Sequence, residues 1–146
     1  MIRLRRDGMR PLCFSGHLIV QHDGWLPGAR LWHDLFLYRV ADGGFAVAII
    51  ARLGGGPDAR HASAVRCHAA QFDSLDRALT SLESHDAAAD LCPGMSAPAL
   101  DTFNPALSAT VLRLQAARLQ DFCRDVVSRY EAGAGAILYS ACRSGL

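Results

Sequence analysis

Residues 31–53 carry the clearest alternation of apolar and polar positions in the chain. Two apolar runs, LWHDLFLYRV and FAVAIIARL, flank Ala41-Asp42-Gly43-Gly44. Alternation on both sides of an Asp-Gly pair predicts a β-hairpin. A two-residue loop at Asp42-Gly43 pairs Val40 with Phe45, Tyr38 with Val47 and Phe36 with Ile49, so aromatic and β-branched side chains meet across the ladder. A four-residue loop keeps those pairs. A three-residue loop breaks them and sets aromatics opposite alanines.

The rest of the N-terminal half also reads as sheet. Residues 12–21 (LCFSGHLIVQ) form a first strand, and 22–30 are a turn, with Asp23-Gly24 and Pro27-Gly28 as breakers. A glycine-rich loop over 54–58 ends the hairpin, and 60–71 supply a fourth strand of small residues. The period then lengthens. Asp73 or Ser74 caps a helix over about 73–85, with Asp76 in its first turn and Leu75, Ala78, Leu79 and Leu82 on one face. Residues 87–104 hold Pro93, Gly94 and Pro98 without periodicity and read as a long loop. Asn104-Pro105 starts a second helix, Asn as cap and Pro in the first helical position. Its stripe is Leu112, Ala116, Leu119, Cys123, Val126 and Tyr130, widened by Leu107, Val111, Leu114 and Phe122. Gly133 and Gly135 end it at about residue 131, leaving 136–146 as a tail. Strands grouped before helices predict an α+β domain: a three- to four-stranded antiparallel meander followed by two helices on one face, not a βαβ nucleotide fold.

With the expected pairing, one hairpin face carries Trp32, Phe36, Tyr38, Val40, Phe45, Val47, Ile49 and Leu53, with Asp34 as its polar member. This face is expected beneath the helices. The other carries His33, Leu35, Leu37, Arg39, Ala46, Ala48, Ile50 and Arg52, and is too apolar for a plain solvent face. Either the C-terminal tail covers it or a partner chain does. Leu35, Leu37, Arg39, Ala46, Ala48, Ile50 and Arg52 are therefore the expected interface, and a protein partner or homo-oligomer is the expected company.

Composition narrows the class. The chain has 146 residues, 51% hydrophobic and 20% charged, with a net charge of +1. A single domain spanning 1–146 that buries a core follows, and neither general disorder nor charge-driven binding does. Every basic residue is arginine. Arginine suits bidentate phosphate or carboxylate recognition, but its excess beside so much Ala and Gly is also what a GC-rich bacterial genome produces. The five cysteines are scattered without C-x-x-C spacing, so reduced, mostly buried thiols of a cytoplasmic protein are expected. No apolar run approaches the length of a membrane span. Residues 1–10 read as a basic tail that Met9 could replace as a start.

Candidate chemistry is sparse. Asp34 on the apolar face is a candidate carboxylate with a raised pKa, and with His33 and Arg52 it makes a polar cluster. Its alternative is a solvated strand end. His17, His33 and His68 could converge on zinc with Cys67 or a carboxylate, yet His68 and Cys67 are neighbours in a strand and point to opposite faces. No H-x-H, H-E-x-x-H or C-x-x-C motif supports a metal. Gly54–Asp58 lacks the G-K-[ST] of a phosphate loop, and Ser15-Gly16-His17 lacks the G-x-S-x-G elbow. No catalytic residue, metal or cofactor is assigned on this basis. The expected function is a non-catalytic interaction module, self-associating or docked on a larger assembly. The alternative is nucleic-acid binding through Arg3, Arg5, Arg6 and Arg10 with strand arginines.

Overall fold

A computed structural model describes residues 1–54, 63–91 and 104–145. The expected hairpin and its neighbours form a four-stranded antiparallel meander, β3 (Gly16–Asp23), β4 (Leu31–Val40), β5 (Phe45–Leu53) and β6 (Ser63–Phe72), in that spatial order. The predicted first strand is split. Leu12–Phe14 form β2, which pairs with β1 (Ile2–Leu4) in a separate two-stranded sheet. The chain turns at Gly16, where a Cβ would lie 2.1 Å from the Arg39 carbonyl oxygen. The basic residues expected in a tail therefore belong to β1 and to its turn into β2. The glycine-rich loop after β5 lies outside the described residues from residue 55 on.

The hairpin closes by the loop that breaks the expected pairs. Gly43 N–H bonds to the Val40 carbonyl at 3.1 Å and Val40 N–H to the Gly44 carbonyl at 3.2 Å, leaving Ala41, Asp42 and Gly43 as a three-residue loop. Gly43 and Gly44 have φ of +106° and +84°, which a side chain disfavours. Leu35 stands opposite Ile49, Leu37 opposite Val47, Phe36 opposite Ala48 and Tyr38 opposite Ala46. The physical gain is a continuous apolar face. Leu31, Leu35, Leu37, Phe45, Val47 and Ile49 bury together against the helices, and the alanines make room for aromatics on the reverse side.

Both helices pack on that face, α1 (Leu75–Glu83) over β5 and β6 and α2 (Pro105–Arg143) over β3 and β4. Ser74 caps α1, its hydroxyl accepting from Arg77 N–H, and Asn104 caps α2 through Leu107 N–H. A single 3₁₀ turn, Ala87–Asp90, follows α1 within the predicted long loop. Residues 92–103 lie outside the described residues. Gly133 and Gly135 do not end α2. At Gly133 the helix lies so close to β3 that a Cβ would come within 2.7 Å of His22 Cδ2, so the glycine serves a close approach and the expected tail is helix to Arg143.

The reverse face is covered in part from within the chain. Phe14, Val40 and Ala46 bury together with Ile2, Leu4, Leu12 and Tyr38, and Phe14 meets Tyr38 edge-on at 5.6 Å. There the cover is β1 and β2, whereas Leu35 and Leu37 of the same expected face lie beneath α2, in one core with Ile137 and Ala141 of the expected C-terminal tail. Of the four described cysteines only Cys67 is buried; Cys13 and Cys142 are exposed and Cys123 intermediate, against the expectation of mostly buried thiols. Among the described residues no helix is long and apolar enough to cross a membrane.

The three-residue loop makes a specific demand at Gly44. Beyond its positive φ, a Cβ there would stand 2.3 Å from the Phe72 carbonyl oxygen. Gly44→Ala is expected to lower stability by about 2 kcal/mol or more, read from urea unfolding. Asp42→Ala in the same loop should stay close to wild type.

Candidate functional site

Asp90 ends the 3₁₀ turn with its side chain only 1% exposed. Three imidazoles converge on it. Nε2 of His33 and of His85 lie 2.8 and 2.6 Å from its Oδ2, and Nε2 of His68 lies 2.8 Å from its Oδ1. Each arrives from a different element. His33 points inward from near the start of β4, next to Leu35 on the same face. His68 stands opposite Ile49 on β6 and so faces the helices. His85 follows the last turn of α1. The cap fixes the 3₁₀ turn that carries Asp90: the Asp86 carboxylate accepts from Ala88 and Ala89 N–H.

Tyr130 of α2 closes the back of the group. Its ring meets His33 at 5.1 Å edge-on and His85 at 5.3 Å, and its hydroxyl donates to the Leu82 carbonyl at 2.6 Å. Burial, reinforced by the Asp90 charge, raises the Tyr130 phenol well above its ordinary value, so it stays protonated and keeps that bond. Burial by itself pushes the Asp90 carboxyl up, but hydrogen bonds from His33, His85 and His68 outweigh it. The carboxyl is held below the usual carboxylate range and is ionised.

The centre forms one wall of a cleft of about 290 Å³, lined by His68, His85 and Ser81 at the buried end and by Arg6, Asp7 and Met9 at the mouth. The mouth residues come from the β1–β2 turn, which wraps the free edge of β6. Asp7 N–H donates to the Cys67 carbonyl and the Asp7 carboxylate accepts from Cys67 N–H, both at 3.0 Å. The His68 side chain is 41% exposed into this space, whereas that of His33 is only 2% exposed. The arrangement is polar, preorganised and open on one side.

The expected residues are redistributed. His33 does not join Asp34 and Arg52. They stand on the reverse face, where Arg52 Nε donates to Asp34 Oδ2 at 2.5 Å and Asp23 lies opposite Asp34 in the ladder. The Asp34 carboxyl is nevertheless raised, first by burial, with Arg52 opposing and Asp23 assisting. Its second oxygen is buried and has no hydrogen-bond partner among the described residues. The expected interface is divided by the register. Leu35 and Leu37 are in the core under the helices, Ala46 and Ala48 are buried on the reverse face, and Ile50 and Arg52 are half-buried there. Arg39 is exposed, 4.5 Å from the Phe45 ring. Of the basic group, Arg3 lies in β1, Arg5 pairs with Asp7 at 3.2 Å, Arg6 lines the cleft with its Nε on the Arg10 carbonyl, and Arg10 is exposed.

His33 and His68 do meet, as two of the three histidines considered together, but His17 is exposed on β3 and Cys67 lies on the other side of β6. His85 and Asp90 take their places. His85-x-x-x-x-Asp90 is too loose a spacing to stand out. The legible signal was a buried-type histidine in an apolar strand.

The centre has a measurable cost when broken. Asp90→Asn leaves one acceptor oxygen for three imidazole donors in a buried site and is expected to cost roughly 3–5 kcal/mol in urea unfolding. His68→Gln, at the wet edge, should cost no more than about 1 kcal/mol. Comparison of the chain with protein-family models, with curated proteins and with solved structures finds no match, and the functional reading therefore rests on this geometry.

Proposed function

We propose that the protein binds a small anionic organic molecule in the cleft between α1, β6 and the β1–β2 turn, with the histidine–aspartate centre as its polar floor. The observation that carries this is a cleft of ligand size lined by His68 and His85, two of the imidazoles held on the buried Asp90. Arg6 supports the sign of the ligand. Among the described residues no carboxylate forms an ion pair with it, so its guanidinium offers donors to a carboxylate or phosphate at the cleft mouth. His68, His85 and Ser81 are the polar groups within reach of the other end. The test is histidine- and arginine-resolved NMR during titration with small carboxylates and phosphate monoesters. Saturating shifts at His68, His85 and Arg6 are expected, and Arg6→Ala should weaken binding about tenfold or more. No saturable shift with any probe, or shifts confined to other surfaces, would reject the reading.

A second reading keeps the interaction role and moves it to α2. Leu107, Leu112, Leu114 and Leu119 are 40–55% exposed on the N-terminal half of that helix. The row Leu112, Ala116, Leu119 and Cys123 continues into Val126, Tyr130 and Ile137, which are buried against the sheet. An apolar row that outruns its own sheet suits self-association through paired α2 helices. Light scattering should then show a dimer that Leu112→Gln with Leu119→Gln converts to a monomer of unchanged helix content. Leu37→Asp, inside the core, should unfold the chain instead. A monomeric wild type at high concentration would remove this reading.

A further inference from the structure

We propose that His33, His85 and Asp90, with His68 beside them, form a binding site for one divalent transition-metal ion of the zinc class. His33, His85 and Asp90 each offer one ligand atom within 4.8 Å of the others, and the Nε2 atoms of both imidazoles lie on Asp90 Oδ2. Zinc holds imidazole nitrogens and carboxylate oxygens at about 2.0–2.2 Å, which puts tetrahedral ligand atoms about 3.4 Å apart. The hydrogen-bond distances of 2.6–2.8 Å need only a small outward movement of the rings to make that room. Several imidazoles with a single carboxylate favour zinc, iron, cobalt or nickel over magnesium or calcium, which take oxygen ligands.

A ring that donates from Nε2 to Asp90 coordinates through that nitrogen only after its proton moves, through solvent, to Nδ1; the freed Nε2 lone pair then faces the ion and the neutral ring loses no proton overall. The ligands sit on β4, on the segment after α1 and on the 3₁₀ turn, with Tyr130 packed against two of the rings, so the set is held before the ion arrives. His68 stands on the cleft side. The ion's accessible coordination position therefore faces the cleft, as in sites that keep one position for water or ligand.

This is the floor of the cleft read above as a ligand site, but ion binding is measured without any organic ligand. Failure of either reading therefore leaves the other standing. Protein stripped with a chelator is titrated with Zn²⁺ by calorimetry and with Co²⁺ by visible absorption. One ion per chain is expected, with a Co²⁺ spectrum of low-coordinate nitrogen and oxygen ligation. His85→Ala and Asp90→Ala should each weaken binding about a hundredfold or more, and His17→Ala, on β3, should leave it unchanged. Because Asp90→Ala removes a core group, the wild type supplies a second readout: ¹⁵N resonances of Nε2 in His33, His68 and His85 should move on zinc addition while those of His17 do not. No saturable binding tighter than about 1 mM overturns the proposal. So does a bound ion that leaves the His33 and His85 Nε2 resonances in place.

Discussion

Burying the Asp90 carboxylate is the constraint on which the helical layer depends. An ionised carboxylate with its side chain 1% exposed is costly unless charged or polar donors surround it. Here the donors are three imidazoles from β4, β6 and the end of α1. One side chain thereby ties the centre of the sheet, its edge strand and the first helix to the 3₁₀ turn. Tyr130 adds α2, touching two of the imidazoles with its ring and α1 with its hydroxyl. The same contacts that satisfy the carboxylate hold the four groups in one place, so stability and preorganisation share a cause.

That convergence needs the hairpin register. The sheet places His33 on the helix-facing side only because β4 and β5 are joined by three residues, which puts Leu35 opposite Ile49 and Leu37 opposite Val47. β6 follows β5 in turn, with His68 opposite Ile49. His33 and His68 thus stand diagonally across β5 on one face. Shifting the β4–β5 pairing by one residue would put one set of side chains on the wrong side of the sheet. Gly43 and Gly44, with φ of +106° and +84°, make the tight closure possible.

The wrap of the β1–β2 turn around the edge of β6 completes the cleft. Hydrogen bonds between Asp7 and Cys67 cap an otherwise free strand edge, which is a usual way to protect such an edge from pairing with another chain. The wrap also carries Arg6 to the mouth of the cleft whose floor is the histidine–aspartate group. A basic N-terminal segment that has the composition of a solvated tail is in fact structural, since β1 and β2 bury Phe14, Val40 and Ala46 on the reverse face.

By itself the sequence determined what local periodicity and capping chemistry can encode. The alternation over residues 31–53, the Ser74 cap and the Asn104-Pro105 start identified strands, helices, their order and hence an antiparallel α+β fold. It also marked Asp34 as the polar member of an apolar face and set His33 and His68 together among the candidate zinc ligands. Tertiary structure decided everything that turns on a choice between near-equal local options. Two-, three- and four-residue loops all suit Asp42-Gly43, and packing selected the three-residue loop by burying Leu31, Leu35, Leu37, Phe45, Val47 and Ile49 together beneath the helices. Gly133 reads as a helix end until β3 and His22 are seen against it. Asp90 is one acidic residue in a stretch without periodicity, and no rule of spacing links it to side chains as far as 57 residues away in the chain. A centre assembled from four separate segments has no local signature, because what defines it is distance in space.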